Sequence, residues 1–504
     1  MDITQHILYG FSVALTPENL FFCFLGAFLG TLIGVLPGLG PAASIALLLP
    51  ITFKIPPTAA IIMLAGIYYG AMYGGSTTSI LVNIPGEAAS VVTCFDGHQM
   101  AKQGRAGPAL GIAAFGSFIA GTFGTIMIML LAPLLVSVGL KFGPTELVGL
   151  IFLGLVMVVF FSAESLLKGL MMAVIGLILG TVGLDPIYGT ERLTFGTTTL
   201  MGGVEIIAVV MGLFGISEVL VNLEQILKHE IYKGRIKGLL PNKKDWKDSV
   251  GPITRGTFLG FFLGLIPGGG TIIPTFMDYA MEKKLSKHPE RFGTGVIEGV
   301  AGPETTNNAA SSGCFVPLLT LGLPTNVIMA MMLGALMIHG VTPGPLLVKQ
   351  HPDVFWGVIA SMYIGNIVLI ILNLPLIRMW VTILKIPYAI LFPLIILFCI
   401  LGAYSVNQEY IDIITLMIFG GVGYLMRKLK YEGGPLVLGF ILGPMLEERL
   451  RQSLLISHGD FSIFLSRPIS LGFLLFTMAL LISSPLIALL KKRFKGIYGS
   501  SGIT

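Results

Sequence analysis

Long apolar runs alternate along this chain with short polar breaks. The longest runs are Phe21–Val35, Ala109–Val138, Leu147–Phe161, Val354–Leu372 and Leu471–Leu490. A helix needs about 20 apolar residues to cross a hydrocarbon core that is about 30 Å thick. The pattern therefore predicts an all-α polytopic membrane protein with about 10–12 transmembrane segments.

The composition agrees with residence in a lipid bilayer. Hydrophobic residues make up 54% of the 504 positions and charged residues only 11%. A soluble domain carries about 25% charged residues. The 65 glycines and 29 prolines are typical of membrane proteins with close helix contacts and broken helices. These numbers exclude an ordinary soluble protein.

The amino-terminal segment and the cysteines add no further chemistry. Met1–Pro17 lacks the basic region and the small-residue cleavage site of a signal peptide, so we expect it to be retained. Cys23, Cys94, Cys314 and Cys399 stand singly, and their spacing fits neither a metal site nor a disulfide framework. We therefore expect no metal centre and no cofactor.

Basic residues occur in clusters. Seven lie between Lys228 and Lys247, three between Arg427 and Lys430, and four between Lys491 and Lys495. Short basic loops stay on the cytoplasmic side of a membrane, which explains these clusters better than a nucleic-acid surface does. The predicted parts are an N-terminal membrane repeat (1–227), a basic cytoplasmic loop (228–252), a C-terminal membrane repeat (253–490) and a basic cytoplasmic tail (491–504).

The two membrane halves open with related sequences. Gly26–Gly40 reads GAFLGTLIGVLPGLG, and Gly256–Gly270 reads GTFLGFFLGLIPGGG. At a constant offset of 230, eight of the fifteen positions are identical. This agreement predicts an internal repeat.

The second copy is too short to cross the membrane twice. Only 33 residues separate Asp248 from Glu282, with lysines on both sides, whereas two crossings need about 40 residues and a turn. We predict a re-entrant hairpin with its tip at Pro267–Gly270. No lysine or arginine precedes Lys54, so the first hairpin should enter from the opposite side. The halves would then be inverted repeats, as in many secondary transporters.

Four segments interrupt the apolar tracts with polar and helix-breaking residues: 37–41, 74–86, 267–271 and 302–326. Exposed N–H groups at broken helices attract carboxylates, freed carbonyls suit Na⁺, and glycine lets a ligand approach the backbone. The candidate residues for substrate or ion binding, with Na⁺ possible at the same motifs, are Gly38, Gly40, Ser76, Thr77, Thr78, Asn83, Gly86, Gly268, Gly269, Gly270, Glu304, Thr305, Thr306, Asn307, Asn308, Thr325 and Asn326.

Glu304 is the one carboxylate in the GPETTNN motif. An ionisable residue inside the membrane is a functional candidate, here for a cation or a proton. GGSTTS (74–79) aligns with GPETTN (302–307) at offset 228, and IPG (84–86) aligns with LPT (323–325) at offset 239, which predicts an insertion of about eleven residues. The alternative is that these polar side chains only bond neighbouring helices and that the glycines only permit packing.

Two further polar places have simpler interpretations. Asp185-Pro186 is typical of a loop turn. Pro435–Met445, followed by Glu447, Glu448, Arg449 and Arg451, predicts a broken span with a charged interfacial end that serves packing or a partner contact.

Several motifs resemble those of the tripartite tricarboxylate transporter family, large subunit. They are GVLPGLGP (34–41), GLIPGGG (264–270), GPETTNNAA (302–310), LGLPTNV (321–327), GVTPGP (340–345) and PLVLGFILGPMLEERLRQSL (435–454). The resemblance implies a permease that works with a small membrane subunit and an extracytoplasmic solute-binding protein. It also implies an organic carboxylate substrate such as citrate, coupling to Na⁺ or H⁺, and a multi-pass position in the bacterial inner membrane.

The leading prediction is a secondary transporter that works by alternating access. A passive anion channel built on the paired re-entrant hairpins is the alternative. We do not expect an enzyme, because the chain has no HExxH or GxSxG motif. It also has no Gly-Lys dipeptide, which excludes a Walker A loop.

Overall fold

Helices dominate the computed structural model, which describes residues 3–36, 40–162, 165–185, 187–224, 238–384 and 388–498. In chain order the helices are α1 (Ile3–Ala14), α2 (Pro17–Val35), α3 (Pro41–Leu48), α4 (Pro57–Val82), α5 (Val91–Lys102), α6 (Ala106–Gly139), α7 (Pro144–Ser162), α8 (Leu166–Gly180), α9 (Ile206–Val210), α10 (Ser217–Glu224), α11 (Lys243–Gly264), α12 (Ile272–Leu285), α13 (Glu298–Gly313), α14 (Phe315–Leu321), α15 (Val327–Ile338), α16 (Leu347–Gln350), α17 (Pro352–Asn373), α18 (Ile377–Ile383), α19 (Tyr388–Asn407), α20 (Tyr410–Lys428), α21 (Gly433–Ile456), α22 (Ile463–Ser466) and α23 (Pro468–Tyr498).

Shorter elements complete the secondary structure. The 3₁₀ segments are Leu49–Lys54, Ala88–Ser90, Thr198–Leu200 and Pro289–Arg291, and a π-helical segment, Met211–Ile216, joins α9 to α10. Strands β1 (Gly183–Leu184) and β2 (Glu191–Arg192) pair antiparallel.

The chain forms two compact units. The first consists of Met1–Leu140 and Val204–Leu429, and the second of Lys141–Gly203 and Lys430–Thr504. The first unit therefore contains α1–α6 and α9–α20, and the second contains α7, α8, α21–α23 and both strands. The predicted division into repeats at 227 and 253 follows the sequence instead, and it stays a prediction.

Membrane-spanning helices account for the predicted apolar runs. Within the described residues, eight helices are long and apolar enough to cross a bilayer: Pro17–Val35, Pro57–Val82, Ala106–Gly139, Pro144–Phe161, Ile206–Glu224, Pro352–Asn373, Ile390–Asn407 and Tyr410–Lys428. Four shorter apolar helices are Pro41–Lys54, Leu166–Gly180, Val327–Ile338 and Pro468–Ser483. The all-α polytopic membrane class is thus confirmed.

Glycines let α2 pack directly against the backbone of α4. A Cβ atom added at Gly26 would lie 2.2 Å from the Met63 carbonyl oxygen. At Gly34 the same atom would lie 2.4 Å from the Ala71 carbonyl oxygen. Only a residue without a side chain permits so close an approach, so this glycine row fixes how the two helices pack.

The second copy of the glycine row packs in the same way. A Cβ at Gly260 would lie 2.3 Å from the Thr306 carbonyl oxygen, and a Cβ at Gly264 would lie 2.4 Å from that of Ala310. The partner helices are α4 in the first case and α13 in the second. The repeated sequence therefore corresponds to repeated packing, while the inverted orientation stays a prediction.

The contacts made by the two glycine rows match α4 with α13 at a different offset from the one that the sequence motifs suggest. Gly34 contacts Ala71, 37 residues later, whereas Gly264 contacts Ala310, 46 residues later. The helices at this level also end alike, because Asn83 (φ 59°) and Gly322 (φ 71°) are both left-handed. The partner positions Ala71 and Ala310 and the helix ends Asn83 and Gly322 correspond at offset 239, whereas the glycines correspond at offset 230. Nine extra residues therefore lie between the glycine row and its partner helix in the second half. The offset of 228 and the insertion of eleven residues behind GPETTN do not describe this packing.

Two of the predicted breaks, 74–86 and 302–326, begin later than the sequence suggests, because their first polar residues lie inside continuous helices. Residues 74–79 belong to α4, and residues 302–308 belong to α13, which continues through Pro303. The chain leaves the helix only later, at 83–86 and 322–326. Small and hydroxylated residues can remain helical here because their hydroxyl groups bond carbonyls one turn earlier, as Ser79 does with Gly75.

The tip of the second hairpin lies where the sequence places it. Helix α11 ends at Gly264 and α12 begins at Ile272, with Gly268 and Gly270 at positive φ between them. Helix α11 begins at Lys243, inside the segment predicted as a loop. Its re-entrant course stays a prediction.

The second unit is held by helix packing and by a charged cluster. A Cβ at Gly176 would lie 2.0 Å from the Leu436 carbonyl oxygen, so α8 and α21 are in direct backbone contact. Asp185 accepts hydrogen bonds from the backbone of Tyr188 and Ile187 and pairs with Arg451 at 2.8 Å. These contacts hold the pKa of Asp185 well below its usual range.

The carboxyl-terminal motif differs from its prediction in one respect. Helix α21 runs unbroken from Gly433 to Ile456 with Pro444 inside it, so the expected break at 435–445 is wrong. Its charged end is paired within the same unit, because Glu447 bonds Arg451 one helical turn later and Arg192 of β2 at 2.9 Å.

Candidate functional site

Glu304 joins the two halves of the first unit. The hydroxyl of Ser76 on α4 donates to one Glu304 carboxylate oxygen, and the hydroxyl of Thr93 on α5 donates to the other. Glu304 is 1% exposed. Two predicted candidates, Ser76 and Glu304, therefore lie in direct contact, and Thr93 is a contact that the sequence reasoning missed.

A second buried carboxylate, that of Glu87 in the break after α4, bonds a neighbouring residue of α13. The amide of Asn307 donates to the Glu87 carboxylate at 2.9 Å, and the backbone N–H of Ala89 donates to its other oxygen at 2.5 Å. Sequence reasoning missed Glu87, although it directly follows the predicted Gly86 in the break after α4. Asn307 thus connects α13 to this break.

Asn308 extends the network to α6. Its amide donates to the Ser117 hydroxyl at 2.7 Å and to the Glu304 carbonyl oxygen at 3.1 Å. Four helices, α4, α5, α6 and α13, thereby contribute to one buried polar network.

Two clefts adjoin this network and share Tyr73. One is small, with a cavity volume of about 10 Å³, and is lined by Tyr73, Ser76, Thr77, Leu110, Ala113, Ala114, Ser117 and Asn373. The other, of about 20 Å³, is lined by Tyr69, Tyr73, Gly121, Thr125, Asn308, Ser312, Met362 and Asn366. Hydroxyl and amide groups supply the polar part of both linings, which contain no lysine or arginine.

Some of these lining groups are free to bind a ligand. The Tyr69 hydroxyl and the Asn373 side-chain oxygen are buried and have no hydrogen-bond partner among the described residues. By contrast, the Tyr73 hydroxyl donates to Asn366 at 2.8 Å. Sequence reasoning missed Asn366 and Asn373, although two asparagines in the apolar helix α17 were an available signal for this side of the clefts.

The hairpin tip gathers a second group of predicted residues. The backbone N–H of Gly268 donates to the Thr325 carbonyl oxygen at 2.7 Å. A Cβ at Gly270 would lie 3.6 Å from Cβ of Asn326, whose side chain caps α15 by accepting from the Met329 N–H at 2.9 Å. The tip therefore contacts the break between α14 and α15.

Four further predicted residues serve helix packing or bond backbone carbonyl groups. Thr78 donates to the Val35 carbonyl oxygen at 2.7 Å, and Thr305 to that of Ala301 at 2.6 Å. A Cβ at Gly86 would lie 2.3 Å from the Cα of Gly75, and one at Gly269 would lie 2.7 Å from the Leu263 carbonyl oxygen.

Three further candidates lie at chain breaks or outside the described part. Asn83 ends α4 in a left-handed conformation. Gly40 precedes α3, and a Cβ there would meet nothing within 4 Å. Gly38 lies outside the described residues.

Comparisons with known proteins point to one family. The family model for the tripartite tricarboxylate transporter TctA family matches residues 20–438. An uncharacterized 52.8 kDa protein in the TAR-I ttuC' 3' region of Agrobacterium vitis is 49% identical over 495 residues, covering 98% of this chain and 99% of that protein.

A second protein from the same organism is also similar. An uncharacterized protein in the TAR-II ttuC' 3' region of Agrobacterium vitis is 50% identical over 215 residues, covering 43% of this chain and 89% of that protein. No solved structure matches the chain.

Proposed function

Because this chain belongs to the tripartite tricarboxylate transporter TctA family, we propose that it is the permease subunit of an importer for organic carboxylates such as citrate. In this proposal it works with a small membrane subunit and with an extracytoplasmic solute-binding protein in the bacterial inner membrane. Transport is coupled to a Na⁺ or H⁺ gradient and involves no catalytic step.

The observation that supports the proposal is that residues from both halves of the sequence contact each other beside the two clefts. Ser76 of the first half bonds Glu304 of the second, and both Ser76 and Asn308 line a cleft. A pathway between two halves that meet in this way suits alternating access, because relative movement of the halves exposes the site to each side in turn.

The chemistry of the clefts suits a carboxylate held by hydrogen bonds. Hydroxyl and amide donors can bind an anion without a fixed positive charge, and such a site also releases its ligand readily. Glu304 itself is a carboxyl group that already accepts two hydroxyl hydrogen bonds. We therefore propose that Glu304 joins the two halves and favours binding of the coupling cation. The neutral hydroxyl and amide groups of the clefts would bind the substrate.

The test is uptake of radiolabelled carboxylates into vesicles that contain this chain, its small subunit and its binding protein. Na⁺ and H⁺ gradients are imposed separately, and citrate heads a panel of di- and tricarboxylates. We expect uptake above the external concentration under one of the two gradients.

The possible results separate the alternatives. Flux that only equalises the concentrations, with either gradient or none, would indicate a passive anion channel. No uptake of any carboxylate by a correctly assembled complex would refute the proposal.

A further inference from the structure

Asp278 on α12 carries a buried carboxylate. It is 0% exposed, and both of its carboxylate oxygens are buried with no partner among the described residues. Burying an unpaired charge costs several kcal/mol, by order of magnitude, unless another charge or ligand compensates it. Such a group indicates that something binds to it.

The surroundings of Asp278 supply two further oxygen atoms. The hydroxyl of Thr306 on α13 lies beside the carboxylate and is 0% exposed. The carbonyl oxygen of Gly302, one turn earlier on α13, faces the same place.

Two glycines let the three helices pack closely at this place. A Cβ at Gly256 of α11 would lie 2.6 Å from the Thr306 hydroxyl oxygen, 2.7 Å from the Gly302 carbonyl oxygen and 3.3 Å from an Asp278 carboxylate oxygen. A Cβ at Gly302 would lie 2.2 Å from the other carboxylate oxygen. Three oxygen atoms from α12 and α13 therefore face the bare backbone of α11.

The net charge of the neighbourhood suits one monovalent cation. Arg255 and Glu282 flank Asp278 and neutralise each other, with the Arg255 Nε donating to a Glu282 oxygen at 2.7 Å and a second guanidinium N–H donating to the other oxygen. When it is ionised, Asp278 then adds one negative charge that this ion pair does not compensate. A single Na⁺ would cancel that charge.

We propose that Asp278, Thr306 and the Gly302 carbonyl form the binding site for the coupling Na⁺. Carboxylate, hydroxyl and carbonyl oxygens are the hard ligands that such a cation prefers, and carbonyls near helix irregularities coordinate Na⁺ in transporters. A proton would satisfy one carboxylate oxygen only and would not use the third oxygen atom. The site rests on the proposed function in one respect, namely that transport is ion-coupled.

The position of the site explains how ion and substrate communicate. Thr306 follows Glu304 by two residues on α13 and precedes Asn307 and Asn308, which bond Glu87 and Ser117. One helix therefore contacts the ion site through one face and the substrate clefts through another. Binding of Na⁺ would fix α13 against the α11–α12 hairpin.

The test measures binding of ²²Na⁺ to the purified complex as well as uptake. The variants are Asp278→Asn and Thr306→Val, which removes the hydroxyl and keeps the shape, with Thr306→Ser as the conservative variant. Matched controls are Asp412→Asn, a buried aspartate on α20, and Thr257→Val, a buried threonine whose hydroxyl bonds Ile253 in its own helix. Size-exclusion chromatography confirms assembly of each variant.

We expect the wild type and both controls to bind Na⁺ alike. Asp278→Asn should weaken Na⁺ binding by more than about tenfold and Thr306→Val by a smaller factor, because a lost charged ligand costs more than a lost neutral one. Thr306→Ser should restore binding. Carboxylate uptake should then need higher Na⁺ in the same order.

Either of two results would overturn the site without touching the proposed function. One is Na⁺ binding by Asp278→Asn and Thr306→Val at wild-type affinity. The other is a wild-type complex that binds no Na⁺ but accumulates carboxylate under a proton gradient. Failure of the proposed function looks different, since no carboxylate would accumulate under any gradient.

Discussion

Glu304 shows how a single buried carboxylate can hold two helices of one half against a helix of the other. Each oxygen accepts one hydroxyl hydrogen bond, from Ser76 on one side and from Thr93 on the other. Hydrogen bonds to a charged group contribute about 1.5–3 kcal/mol each, roughly twice the value of neutral ones. Glu304 should therefore matter for both assembly and transport.

Replacing Glu304 by Gln tests this role. The amide keeps the shape but offers one acceptor oxygen, so either Ser76 or Thr93 must lose its partner. We expect carboxylate uptake to fall by more than about tenfold, equivalent to about 1.4 kcal/mol or more, while the complex still assembles. The control is Glu146→Gln, an equally buried glutamate in the second unit. Wild-type uptake by Glu304→Gln would contradict the role.

Ser76 offers a milder test at the same contact. Ser76→Ala removes one hydroxyl donor to Glu304, whereas Ser79→Ala, one turn later, removes hydrogen bonds to Gly75 and Ser90. We expect uptake to fall in Ser76→Ala and to stay near wild type in Ser79→Ala, measured at equal amounts of protein in the membrane. Equal loss in both variants would mean that Ser76 serves packing only.

The glycine rows determine packing at the level of whole helices. Six glycines at corresponding positions, Gly26, Gly30, Gly34, Gly256, Gly260 and Gly264, bring α2 onto α4 and α11 onto α13. Without a hydrophobic driving force between helices in lipid, such close contact is a main source of association. The same spacing in both copies explains why the repeat is visible in the sequence.

Gly260→Ala should destabilise the first unit. The added Cβ would lie 2.3 Å from the Thr306 carbonyl oxygen, so α11 and α13 must separate, at a cost of about 1–3 kcal/mol. Gly421→Ala on α20 is the matched control, because a Cβ there meets nothing within 4 Å and alanine favours the helix. Thermal unfolding of the purified complex should show a lower Tm for the first variant only; equal Tm values would argue against tight packing.

In the second unit, Asp185→Asn tests the charged cluster around β1 and β2. Because the folded pKa of Asp185 is lowered, its stabilising effect is fully present above its ordinary pKa of about 4 and is lost only as the pH falls below that value. The variant should therefore have a lower Tm than wild type, by the same difference at pH 5 and pH 8. Glu448→Gln, half exposed, should change little. A difference that disappears by pH 5 would contradict the lowered pKa.

Across the whole molecule, sequence reasoning identified patterns that repeat locally and missed contacts that depend on distant helices. The apolar runs and the glycine rows can each be recognised within one continuous segment of the sequence. Asp278 cannot be recognised in this way. It lies near Lys283 and Lys284 in the sequence, and its burial depends on Gly256 and Gly302 from two other helices. Likewise, polar residues at 74–79 were interpreted as a break, although they are helical and the hydroxyl groups of Ser76 and Thr78 bond residues of other helices.

Alternating access makes a prediction for the whole molecule that a channel does not share. Ala114 on α6 lines the first cleft with a small apolar side chain, so Ala114→Cys places a thiol there without removing a polar contact. In oriented vesicles, a membrane-impermeant thiol reagent should label this cysteine from one side at a time. A change of Na⁺ or carboxylate should raise labelling from one side as it lowers labelling from the other.

Two controls accompany this measurement. Ala120→Cys, 0% exposed on the same helix and absent from the lining of both clefts, should stay unlabelled. The wild-type chain gives the background from its own cysteines, of which Cys23, Cys314 and Cys399 are buried. Simultaneous labelling of Ala114→Cys from both sides would require a continuous pathway, and a passive channel would then explain the predicted paired hairpins better than a transporter does.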